Sequence, residues 1–190
     1  MKSMKKVLAT ASAAVAAGTI VLGAALPASA APQAPRGHVN YEWIDGYLAG
    51  RGALADNPVV PLKLTGAVNT TGRINLGGNA SVTPIPTRKG TLTLQHGNPN
   101  PPPQLNNRTC RVTETISTWY KVVGRQSSGA FWGATGSGRA VVVFSSIAPR
   151  YAHGPRKGQC NFSQNAKPEP YGAYISFRAQ GPLYLRPHKP

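Results

Sequence analysis

The sequence predicts an all-β domain: an antiparallel barrel of about eight strands carrying one disulfide, with a β-sandwich as the alternative. Three observations predict it. Past Pro58, short β-rich runs alternate with Gly, Asn and Pro clusters, and no segment carries a long helical stripe. An open sheet of so many strands would leave exposed edges, which closure or sandwiching removes. Cys110 and Cys160 are the only cysteines, an even count that points to one bridge. No internal repeat suggests a propeller or solenoid.

The chain opens with Lys2, Lys5 and Lys6, then an apolar run from Val7 to Leu26, then Pro27-Ala28-Ser29-Ala30. This order of basic, apolar and small residues is that of a secretory signal peptide cleaved after Ala30. The run is long enough to span a bilayer, but its Ala/Gly content and Pro27 favour cleavage, which leaves no transmembrane helix. Residues 31–58 read as an N-terminal extension, partly disordered, with Ala31–Pro35 rich in Pro and Ala. Within it, Tyr41, Trp43, Ile44, Tyr47 and Leu48 fit strand alternation and helical spacing equally, so His38–Asp56 stays unassigned.

The barrel domain is read as residues 59–185. Val59–Thr65, Thr71–Leu76, Ala80–Ile85 and Thr91–Gln95 are strand candidates separated by turn residues such as Gly66, Asn69, Gly77-Gly78 and Lys89-Gly90. Asn98–Asn107 contains Pro99 and Pro101-Pro102-Pro103 and reads as an extended surface loop. Thr109–Val123 is the longest candidate. Cys110, Val112, Glu114, Ile116, Thr118, Tyr120 and Val122 share its mainly apolar face, and Trp119 and Lys121 lie on the polar one. A polar turn, Gly124–Gly129, leads to a returning arm over Ala130–Trp132 and Arg139–Ile147. Ala148–Pro170 is a second loop and holds Cys160. Gly172–Ala179 is the last clear strand, Leu183–Leu185 follows a Gly181-Pro182 kink, and residues 186–190 form a polar tail.

Charge narrows the partners. The chain carries 21 Lys and Arg against 5 Asp and Glu, a net charge of +16. Without the three signal lysines the mature chain keeps +13. The acids are Glu42, Asp45, Asp56, Glu114 and Glu169. A secreted domain this basic is drawn to polyanions such as an anionic cell-wall polymer. The basic residues do not cluster beyond Arg88-Lys89 and Arg156-Lys157, so simple solubility explains the charge equally well, and no specific nucleic-acid motif is present. A Cys110–Cys160 bridge would close a loop of about 50 residues, for which chain entropy gives about 4 kcal/mol. His38, His96, His153 and His188 stand far apart, and no metal-ligand spacing occurs, so no metal and no cofactor is expected.

Gly129-Ala130-Phe131-Trp132-Gly133-Ala134-Thr135-Gly136-Ser137-Gly138 is the most distinctive segment. It resembles the G-x-F-x-G-A-T-G-x-G stretch of the allene oxide cyclase-like and dirigent-like barrel group. Ala179-Gln180-Gly181-Pro182-Leu183 is similar to the group's closing strand. The wider likeness, over about residues 62–185, is to uncharacterised secreted actinobacterial proteins with one cysteine pair. The resemblance implies an eight-stranded antiparallel barrel whose lumen takes an apolar small molecule. It carries no catalytic residue over to this chain. Physically, Gly133, Gly136 and Gly138 mark a bend or close backbone approach. A phosphate-cradling loop would need a helix after it, and Arg139–Phe144 is strand.

Glu114 is the first candidate for chemistry, because a carboxylate between Val112 and Ile116 on an apolar face is either paired or shifted in pKa. A hairpin centred near Ser127-Ser128 would bring it opposite Arg139 or Val141, so a structural ion pair with Arg139 is the plainer reading. The functional one is a lumen site in which Glu114, Tyr120 and Arg139 bind a ligand, with Glu114 and Tyr120 as catalytic candidates. Trp43, Trp119 and Trp132 either cover a barrel end or stack a sugar or base. Two functions remain. One is a secreted or wall-associated barrel that binds an apolar small molecule or an anionic envelope polymer. The other is an enzyme of isomerase, cyclase or dirigent type working in the lumen.

Overall fold

The computed structural model describes residues 40–77, 80–163 and 165–186. The segment expected to be a signal peptide, the Ala31–Pro35 segment, Asn79 and all of the expected polar tail but Arg186 lie outside the described residues. Among the described residues nine strands form one antiparallel sheet: β1 (Asn40–Ala49), β2 (Val59–Thr65), β3 (Thr70–Asn75), β4 (Val82–Thr87), β5 (Gly90–His96), β6 (Gln104–Asn106), β7 (Arg111–Val122), β8 (Thr135–Ile147) and β9 (Glu169–Tyr184). Their order is β5-β4-β3-β2-β1-β9-β8-β7-β6, and β5 also pairs with β7. Eight of them therefore close into a barrel, and β6 is an extra strand.

Closure is assisted between β5 and β7. The β7–β8 connection runs along β5: Val123 N–H donates to Thr93 O at 2.8 Å, Ser128 N–H to Thr91 O at 2.9 Å and Ala130 N–H to Lys89 O at 2.8 Å. Ser127 Oγ accepts from Thr93 N–H and itself donates to Val123 O, so a buried hydroxyl is fully used. On the same side, β5 reaches β7 only at Leu94–His96, and β6 meets it at Arg111–Thr113. The prolines between them donate no hydrogen bond to β7, which is why this part of the wall is irregular.

The structure revises the sequence reading in four places. The barrel begins at Asn40 rather than Val59, because β1 pairs with both β2 and β9. Its outward face carries Tyr41, Trp43 and Tyr47 and its inward face Glu42 and Gly46, so alternation between apolar and polar faces was masked. Ala130–Trp132 is not strand: Gly129–Phe131 is a 3-10 turn that buries Phe131 completely. The loop Asn98–Asn107 contains β6. Finally, β9 runs without interruption through Gly181-Pro182, since Pro182 faces Tyr41 and Gly181 faces Glu42 in register.

Inward side chains fill the barrel. Ile44, Leu64, Ile85, Leu92, Phe131 and Ile175 are all essentially inaccessible. Towards the other end, Leu48, Ile116 and Phe144 are half-buried against this core. That end also holds the Cys110–Cys160 disulfide. Among the described residues no helix is long and apolar enough to cross a membrane.

Candidate functional site

The three sequence candidates are not brought together. The long β7–β8 connection moves the hairpin register, so Glu114 faces Phe144, and Arg139 faces Trp119 on the outer wall. Arg139 is exposed and cannot neutralise Glu114. Glu114 and Tyr120 share the inward face of β7 but stand six positions apart, roughly 20 Å along the strand. Glu114 makes no hydrogen bond or ion pair among the described residues, and burial alone raises its pKa.

Tyr120 has a different acidic neighbour, Glu42, which the sequence reading counted among the acids but did not single out. Glu42 is only 2% exposed. Its Oε2 accepts a hydrogen bond from Val68 N–H at 3.1 Å in the β2–β3 turn. Oε1 is buried without a hydrogen-bond partner among the described residues. Burial pushes the Glu42 pKa up, and the amides of Val68 and Ala67 oppose that only in part. Tyr120 is pushed up to about 12, first by its own burial, then by the charges of Glu42 and Tyr41.

Two glycines explain the meeting. Glu42 is opposite Gly181, Tyr120 is opposite Gly138, and the glycines are adjacent on β9 and β8. A Cβ on Gly138 would lie 2.7 Å, and one on Gly181 2.8 Å, from the Tyr120 hydroxyl oxygen. The phenol thus lies over a glycine trough and points across two strands towards Glu42. Within the distinctive segment Gly138 therefore serves close approach, whereas Gly133 takes a left-handed turn conformation with φ 69°. Both members of the pair are buried.

The exposed chemistry is on the outer wall. Trp43, Gln180, Arg139 and Trp119 form one row across β1, β9, β8 and β7, each in register with the next. The two indoles are 43% and 54% exposed and stand three strand spacings apart, roughly 14 Å. Tyr41 packs beside Trp43 with ring centroids 5.6 Å apart. Lys121 and Arg178 flank the row on the same face, and Lys63 follows on β2. The acid in this region, Asp45, is already paired with Arg178 at 2.9 Å. A shallow groove of about 850 Å³ continues the surface past Tyr47, Lys63, Val141 and Val143. Trp43 and Trp119 therefore do not cover a barrel end. Trp132 does lie in the connection at one end, but it is exposed, with the Arg186 guanidinium 5.2 Å from its ring.

Comparison with family models, curated proteins and solved structures finds no match for this chain. Among the described residues, no group of three His, Cys, Asp or Glu side chains could hold a metal ion.

Proposed function

We propose that this is a secreted barrel that binds an anionic cell-envelope polymer on its outer wall. The observation that carries the reading is the Trp43–Gln180–Arg139–Trp119 row. It alternates stacking surfaces with hydrogen-bonding and cationic groups, the combination that holds a sugar chain bearing negative charge. Two indoles half-exposed on the outer strands of the row, β1 and β7, leave apolar area whose burial by a ligand would be favourable. Charge complementarity points the same way: Lys63, Lys121, Arg139 and Arg178 face outward around one paired acid. The signal-like N-terminus and the disulfide support export.

The same geometry weighs against the apolar-ligand and lumen-enzyme readings suggested by the allene oxide cyclase-like and dirigent-like resemblance. Side chains occupy the lumen, and Glu42, the strongest candidate acid, is closed off. The experiment is a binding titration of the mature protein on an isolated anionic wall glycan. Trp43→Ala and Trp119→Ala are each expected to weaken binding by roughly 5- to 150-fold, taking about 1–3 kcal/mol for one lost stacking contact. Arg139→Ala is expected to reduce the salt dependence. Wild-type affinity in both tryptophan variants would remove the wall from the function.

A further inference from the structure

We propose that the hairpin Arg150–Cys160 is a preorganised site for the phosphate groups of a phosphodiester-linked polymer. The inference rests on the polymer-binding reading and names a second contact for it, away from the aromatic row.

The hairpin is held far more firmly than its burial requires. Residues 152–159 are all exposed and contribute nothing to the core. Yet Cys160 is tied to buried Cys110 at the start of β7. Arg150 pairs with Cys160 as an antiparallel bridge. The Arg150 guanidinium donates to Gly158 O at 2.6 Å and to Arg108 O at 2.9 Å, joining the hairpin to the β6–β7 turn. Within it, Tyr151 N–H donates to Gln159 O and Gly158 N–H to Tyr151 O, both at 2.9 Å. Gly154 and Gly158 supply the left-handed backbone that closes the turn. Fixing an exposed loop in advance lowers the cost of ordering it on binding.

What the hairpin displays is cationic. The Arg156 guanidinium lies over the Tyr151 ring, 4.3 Å from its centroid, and the residue stays exposed. Lys157 follows it in the chain, His153 belongs to the same exposed turn, and Arg108 is exposed in the turn whose carbonyl Arg150 holds. No Asp or Glu occurs between Glu114 and Glu169, so nothing within the hairpin competes for these cations. A flat Arg fork beside a mobile Lys point charge supplies donors from two directions. That suits a tetrahedral phosphate, whereas one Arg fork alone satisfies a planar carboxylate.

The test measures affinity against salt for poly(glycerol phosphate), with polygalacturonate as the carboxylate comparison. The paired change Arg156→Ala/Lys157→Ala touches only exposed side chains. It is expected to cut the slope of log K against log salt by roughly 1.5, at about 0.7–0.9 per phosphate contact. Arg150→Lys keeps the charge and removes the double clamp. It is expected to weaken binding several-fold with the slope unchanged, and an unaltered melting curve would show that the barrel is intact. An unchanged slope and affinity in the Arg156/Lys157 variant, with wild-type binding present and sensitive to Trp119→Ala, would overturn the hairpin and leave the outer-wall reading standing. An equal loss on both polymers would overturn the preference for phosphate. No binding by the wild-type protein to either polymer would overturn both readings.

Discussion

Glu42 occupies an inward position that packing alone would give to an apolar residue. Its carboxylate is buried at the β2–β3 turn, with one oxygen bonded to Val68 N–H and the other without a partner among the described residues. Burial raises its pKa above the ordinary value of 4.5, so the folded protein binds this proton more tightly than the unfolded chain does. Stability from that proton is therefore complete below the unfolded value. It is lost as pH rises through the folded one. Glu114 acts in the same direction, while Tyr120, pushed up to about 12, titrates only in strong alkali. Glu42→Gln keeps an acceptor for Val68 N–H and removes the ionisation. Denaturation midpoints measured from about pH 5 to about pH 8 are expected to fall less in this variant than in the wild type. Parallel curves would show that Glu42 is not the titrating group. The sequence displayed Glu42 among only five acids, but nothing local marked it as buried, because its strand neighbours Tyr41 and Trp43 are the apolar ones.

At the scale of elements, β2, β5, β7 and β8 were legible because each alternates cleanly or is bounded by turn residues. β1 was not, since its aromatic face looks outward. The β7–β8 connection hides its structure for another reason: Ala130-Phe131-Trp132 has the composition of a strand, yet Gly129–Phe131 forms a 3-10 turn. Phe131 is the anchor of that turn and closes one end of the core. Phe131→Ala should destabilise the protein by about 3–5 kcal/mol, as for other fully buried aromatic truncations. Chemical denaturation measures this directly, and a loss under about 1 kcal/mol would mean that the connection contributes little to closure. The same change leaves the Trp43–Trp119 row untouched, so polymer binding below the unfolding transition is expected to persist.

For the whole molecule, the packed interior and the cationic, aromatic exterior make opposite demands on ligands. An apolar fluorescent probe is expected to gain no salt-independent binding to the native protein, because the core side chains leave it little apolar area to bury. Stoichiometric, salt-insensitive probe binding would reinstate a ligand-holding lumen. From its sequence alone this chain determined an all-β fold, the Cys110–Cys160 pair, a basic character and a segment of close-packed glycines. Those properties follow from local periodicity, turn chemistry and residue counts. Only the tertiary structure decided that Arg139 faces outward, that Tyr120 meets Glu42 rather than Glu114, and that Trp43 and Trp119 share one row. Each depends on strand register, and register is set by the length and packing of connections that can lie far along the chain from the residues they align.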